Sequence, residues 1–150
     1  MKRLALFCIM TVFCCGSLYS QNTGYKLLTT ELTSSSNVKV KLLVYGKSKK
    51  TIDAESQRAA LRIILFEGCP NTPYLKPLME DGEITLRQKY PQYFENLYVE
   101  RYSDFIASYE ATSSFKKGDK KKGSEYIVEV KVLSLRKDLE KNGLKIKIGL

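Results

Sequence analysis

The sequence predicts an α+β fold: one two-layer domain over residues 38–150, with a three- or four-stranded sheet, a long antiparallel hairpin and helices packed on one face. Three observations carry that reading. Val38, Val40, Leu42 and Val44 alternate with Lys39, Lys41, Leu43 and Tyr45, the period of a strand with one buried face. Residues 51–67 then change to helical spacing with a wide apolar surface. Finally, two alternating segments flank the polar stretch KKGDKKKG, the pattern of a β-hairpin.

Each element follows in order. Residues 21–37, with TT and TSSSN and few apolar side chains beyond Leu27, Leu28 and Leu32, read as a loose N-terminal segment with at most a short strand or turn. Gly46-Lys47-Ser48 ends the first strand, and Thr51 is the expected cap of the helix, with Asp53 and Glu55 in its first turn. Thr51, Glu55, Arg58 and Arg62 share one side of it. Ala59, Ala60, Ile63, Ile64 and Phe66, flanked by Leu61 and Leu65, make the apolar remainder, and Gly68-Cys69-Pro70 stops it. This helix should press on the sheet and carry the chain between strands by a crossover. Turn signals fill residues 71–82, leaving room for a helical turn near Tyr74 to Met79. Pro91 opens a further helix. Tyr90, Phe94, Tyr98, Tyr102, Phe105 and Tyr109 then recur every three or four residues, but from Phe105 a strand to Phe115 fits better, paired with Tyr126, Val128, Val130 and Val132. Ser134 is the expected cap of a last helix with Leu135 and Leu139 inward, Gly143 is its left-handed stop, and Ile146 and Ile148 suggest a final short strand.

The N-terminus reads as an address. Met1-Lys2-Arg3 is positive, Leu4 to Phe13 is apolar over ten residues, and Cys14, Cys15, Gly16 and Ser17 are small. That order is a secretory signal peptide at residues 1–20, with an apolar run too short to span a bilayer. Small residues at −3 and −1 favour cleavage after Gly16 or Ser17, while the polar QNTG places the mature start in the Ser20/Gln21 region. The competing reading is a buried N-terminal helix. Lipid anchoring at Cys14 or Cys15 is a second alternative, which the residues preceding each cysteine fit poorly. The expected location is the periplasm or the outer membrane's surface, or secretion, with no transmembrane span in the mature chain.

Composition excludes more than it assigns. With no His among 150 residues, Ser-His-Asp and Cys-His pairs and imidazole ligands are impossible, and no metal, cofactor or catalytic residue is expected. Loss of the signal removes Cys8, Cys14 and Cys15, leaving Cys69 without an intramolecular disulfide partner. Cys69 lies after a helix C-terminus, where the dipole opposes a thiolate, so it reads as a small buried residue. Glu80, Asp81 and Glu83 crowd one loop, as solvated turns do, and lack the spacing of a calcium loop. The net charge falls from +9 to +7 without Lys2 and Arg3, and the five lysines Lys116, Lys117, Lys120, Lys121 and Lys122 stand around Asp119 at the hairpin tip. These lysines discourage edge pairing and are the candidate contact for an anionic lipid or polysaccharide partner, or an acidic protein. Point charges of this kind bind weakly and salt-sensitively. Export argues against nucleic acid, and the aromatic residues lie at core spacing rather than as base-stacking platforms.

VYGKSKK followed by DAESQRAALRIILFEGCP, and the closing YIVEVKVLSLRKDLEKNGL, resemble small exported bacterial domains. Over roughly residues 38–68 and 124–144 the chain is similar to an uncharacterised envelope family of Gram-negative bacteria with a domain akin to the TolB amino-terminal domain. The resemblance implies a periplasmic or outer-membrane-associated accessory domain working by protein contacts, and its motifs carry no catalytic residue. The expected function is therefore a non-catalytic exported envelope protein that binds a protein or an anionic polymer or lipid in an accessory or assembly role. The alternatives are a small carboxylate-based hydrolase and a lipid-anchored subunit of an envelope assembly.

Overall fold

A computed structural model describes residues 24–113 and 123–146. The expected signal peptide, the five lysines of the hairpin tip and Ile148 lie outside the described residues. Four strands form one antiparallel sheet, β1 Tyr25–Ser34, β2 Asn37–Tyr45, β3 Ile106–Ala111 and β4 Gly123–Lys131, in the spatial order β1-β2-β4-β3. The helices are α1 Lys49–Arg62, α2 Glu83–Lys89, α3 Pro91–Asn96 and α4 Val132–Lys141. Both β2 and β3 run antiparallel to β4, so they are parallel to each other with β4 inserted between them. The helical stretch from α1 to α3 is the crossover that this parallel relation requires.

The core is the inner face of the two central strands. Val38, Val40 and Leu42 of β2 pair with Val130, Val128 and Tyr126 of β4, and Val44 with Ser124; the seven apolar side chains are at most 1% exposed. The α+β fold with helices on one face is thus the observed one, and α1 packs against β2 and β4 as its apolar surface demands.

Several local features differ from the sequence expectation, each for a physical reason. Residues 25–34 of the supposedly loose segment are the edge strand β1. Its inward residues are Tyr25, Leu27, Thr30 and Leu32, because the register slips between Leu27 and Thr29. That bulge interrupts the alternation that would have revealed the strand. The cap of α1 is Ser48, whose Oγ accepts from the Thr51 N–H at 3.3 Å, rather than Thr51. The last turn of the helix widens into a π-helical turn, Ile63–Glu67, closed by the Gly68 N–H on the Ile63 carbonyl at 2.7 Å. No helical turn forms at residues 74–79; instead the Leu78 and Met79 N–H groups bond the Ile64 and Leu65 carbonyls that the wide turn releases. Helix α2 was hidden because Leu86 is its one buried residue and Ile84 is exposed, so no apolar stripe marks it.

From Pro91 to Phe105 the aromatic stripe is helical: α3, a second π-helical turn at Leu97–Arg101, and a 3-10 turn at Tyr102–Phe105, with Tyr90 the break between α2 and α3. The strand begins at Ile106, not Phe105, and a register shift before Ser108 puts Ile106, Tyr109 and Ala111 on the inward side. Helix α4 starts at Val132 directly from β4, without a cap from Ser134. Its end follows expectation: Gly143 has φ +75°, and the Leu144 N–H bonds the Leu139 carbonyl at 3.0 Å. Ile146 makes an isolated bridge to Met79.

Gly68 has φ +87° and ψ 168°, a region open almost only to glycine, and a Cβ there would collide with the Leu75 carbonyl oxygen. Gly68→Ala should cost at least about 2 kcal/mol in urea unfolding. Gly82→Ala, where φ is −66° and open space surrounds the Cβ position, should stay within about 0.5 kcal/mol of the parent. Equal effects would show that Gly68 does not hold this turn.

Candidate functional site

The five lysines lie in the sequence between β3 and β4, outside the described residues. Among the described residues β3 is an edge strand: it pairs with β4 alone there, and past Ile106 each of its residues is exposed. At its far end the Thr112 N–H still bonds the Glu125 carbonyl at 2.8 Å, and the Glu125 N–H bonds Ser113 Oγ at 2.9 Å. The hairpin is therefore tied up to the start of the basic connection.

The sheet face away from the helices is a ladder of alternating charge. Glu31, Lys39, Glu129 and Ser108 stand opposite one another across all four strands. Lys41 pairs with Glu125 at 3.2 Å, Asn37 donates to Glu129 Oε1 at 3.0 Å, and Ser108 to Glu129 Oε2 at 3.2 Å. Cross-strand pairs of this kind add a few tenths of a kcal/mol each and keep a half-open sheet wetted.

The acidic cluster does not behave as one group. Glu83 turns inward from the first turn of α2 and meets Arg62 at 3.3 Å and Arg87 at 3.4 Å. Arg62 also pairs with Glu55 at 3.1 Å, both side chains being under a tenth exposed. Arg58 bonds Glu55 at 3.3 Å and donates to the Tyr98 carbonyl at 2.7 Å. The polar side of α1 is thus covered by α2 and the turn after α3, and its charges are neutralised internally. Burial alone would lower the Arg62 guanidinium, but Glu83, Tyr98 and Glu55 outweigh it and hold the group above its ordinary value. The Tyr98 ring lies 5.0 Å from the Arg62 guanidinium and 5.8 Å from that of Arg87. Its buried hydroxyl has no hydrogen-bond partner among the described residues, and burial, then Glu83, pushes it up. This arrangement ties helices together; its carboxylates are committed to guanidinium partners.

Among the described residues no group of three or more Cys, Asp or Glu side chains could hold a metal ion. None of the helices in the described residues is long and apolar enough to cross a membrane. Against known proteins, the chain matches no family model, no curated protein and no solved structure.

Cys69 is fully buried, and burial first, with the Glu67 carboxylate second, pushes its thiol up to about 12 from 9.0. Tyr25, Tyr93 and Tyr126 are shifted the same way, again by burial first. A group protonated in the fold but ionised in the unfolded chain gives stability that is complete below the unfolded value and lost as pH climbs toward the folded one. Stability of the chain starting at Gln21 should accordingly fall between about pH 9 and pH 12. At pH 8 its Cys69 should resist a disulfide reagent that labels the urea-unfolded chain completely. Rapid labelling of the folded chain would contradict the burial.

Proposed function

We propose that this chain is a non-catalytic exported envelope protein that acts by binding, with a protein or an anionic polymer or lipid as partner. One observation supports the reading: β3, an edge strand among the described residues, leads in sequence into a connection carrying Lys116, Lys117, Lys120, Lys121 and Lys122. An open edge can receive an added strand from a protein partner, and clustered lysines attract anionic surfaces. The signal-like residues 1–20 and the resemblance of residues 38–68 and 124–144 to envelope domains support an address outside the cytoplasm, in the periplasm or at the outer membrane. Outside those five lysines the charges of the expected mature chain are nearly balanced, so its positive excess is concentrated in that stretch of sequence.

The test is sedimentation with phosphatidylcholine vesicles containing phosphatidylglycerol. Near a membrane each lysine contributes about 1 kcal/mol, so replacing Lys120, Lys121 and Lys122 by Gln should weaken binding by about two orders of magnitude at low salt. Circular dichroism should stay that of the parent. Raising salt to about 0.5 M should abolish the parent's binding. Binding indifferent both to the substitutions and to salt would remove the electrostatic contact.

A further inference from the structure

We propose that the Asn142-Gly143 pair closing α4 is a site of spontaneous deamidation, held in check by the helix cap and open to reaction whenever that cap releases. The sequence supplies the reactive pair. Asn142 alone among the asparagines precedes a glycine; Asn22, Asn37, Asn71 and Asn96 precede Thr, Val, Thr and Leu, whose side chains crowd the following main-chain nitrogen. With no Cβ, Gly143 leaves its nitrogen open to approach by the neighbouring carboxamide. Both residues are exposed, so water and hydroxide reach them.

The chemistry needs water alone. The Gly143 nitrogen gives its proton to hydroxide and attacks Asn142 Cγ. An N–Cγ bond forms, the Cγ–Nδ2 bond breaks, and Nδ2 departs as ammonia with a proton from water. The resulting succinimide then takes up one water. Breaking its N–Cγ bond leaves aspartate; breaking the bond from nitrogen to the main-chain carbonyl carbon leaves isoaspartate, in which the chain runs through Cβ. Nothing is oxidised or reduced, and the product carries one more negative charge than the amide.

The folded cap opposes each part of this reaction. The Gly143 N–H donates to the Glu140 carbonyl at 3.0 Å, which occupies the nucleophile. Asn142 Nδ2 donates to the Asp138 carbonyl at 2.8 Å, which fixes the carboxamide over the last turn. The Asn142 ψ of 10° nearly eclipses the Gly143 nitrogen with the nitrogen of Asn142 itself, turned away from Cγ, so ring closure requires rotation about ψ. That rotation is blocked while Gly143 keeps its left-handed φ of +75° and the Leu144 N–H stays on the Leu139 carbonyl at 3.0 Å. Leu144, 3% exposed, is the anchor. Opening one helix end costs much less than unfolding the chain, so the reaction runs at the rate this cap allows.

Once formed, the product does not restore the cap. A carboxylate at position 142 faces the negative end of the α4 dipole and has no amide hydrogen for the Asp138 carbonyl. Isoaspartate adds a main-chain atom before Gly143, which shifts the Leu144 N–H off the Leu139 carbonyl. The turn affected carries Asp138, whose carboxylate accepts from Tyr93 at 2.8 Å and from Arg101 at 2.6 Å. Deamidation therefore makes a brief opening lasting and loosens the join between α4 and the α3 region.

The experiment follows the purified full chain at pH 8, folded and in urea, by mass spectrometry of the peptide released by cleavage after Glu140. In urea this peptide should gain about 1 Da and divide into aspartate and isoaspartate forms that separate chromatographically. The folded chain should react at least about tenfold more slowly, by a factor that matches the hydrogen-exchange protection of the Gly143 amide, since one opening frees the same nitrogen for both. Leu144→Ala, which removes the anchor, should raise the folded rate and leave the urea rate unchanged. Gly143→Ala, whose Cβ meets no atom within 4 Å, should slow the reaction severalfold in urea, a reading independent of folding. Asn142→Gln should remove the mass gain in both states. No gain in urea, equal rates in the folded and unfolded chain, a Leu144→Ala chain that keeps the parent's circular dichroism and folded rate, or a gain that persists in Asn142→Gln would each overturn the proposal.

Discussion

Arg62 is the constraint around which the helical layer is arranged. It lies on a helix whose other side already packs on the sheet, and it is 5% exposed, so its charge cannot be left to water. A buried ion without partners costs several kcal/mol, and removing one partner of such a pair typically costs about 3–5 kcal/mol. Glu55 from the same helix and Glu83 from α2 meet that cost together. Helix α2 has one buried apolar residue, Leu86, and is bound to α1 through Glu83 as much as by packing. The turn after α3 closes over the same place, with the Tyr98 carbonyl accepting a hydrogen bond from Arg58. Polar pairing thus orders a layer that hydrophobic burial alone would leave weakly held.

With the helices gathered on one face, the surfaces left for partners are distinct. The uncovered sheet face is a balanced ladder of charge, poor in net attraction. Excess positive charge is concentrated instead in the sequence of the connection between β3 and β4. Clustered lysines of this kind suit an anionic macromolecular surface.

What the sequence made legible was whatever periodicity reports. The valine alternation of β2, its counterpart in β4, the apolar side of α1 and the glycine stops at Gly68 and Gly143 could all be read because each obeys one local rule. What failed did so where two rules overlapped. The bulge near Leu28 shifted the alternation of β1 by one residue and made a strand look like a tail. Glu55, Arg58 and Arg62 at helical spacing look like a solvated stripe, because spacing cannot distinguish water from a second layer of protein carrying the opposite charge. Glu83 looked like part of a loop cluster for the same reason: its partner Arg62 is 21 residues away in sequence. The joint hold of Tyr93 and Arg101 on Asp138 was invisible, since these residues come together only through the fold. The lysine cluster was legible as composition, in the sequence between the two strands that pair as β3 and β4.

The most direct measurement of the central claim is a double-mutant cycle between Arg62 and Glu55, using Arg62→Met and Glu55→Gln and urea unfolding of each variant. If the polar side of α1 is internal, the two residues should be coupled by about 2 kcal/mol or more. A coupling below about 0.5 kcal/mol, the value of solvent-exposed pairs, would contradict the account and return that side of the helix to water.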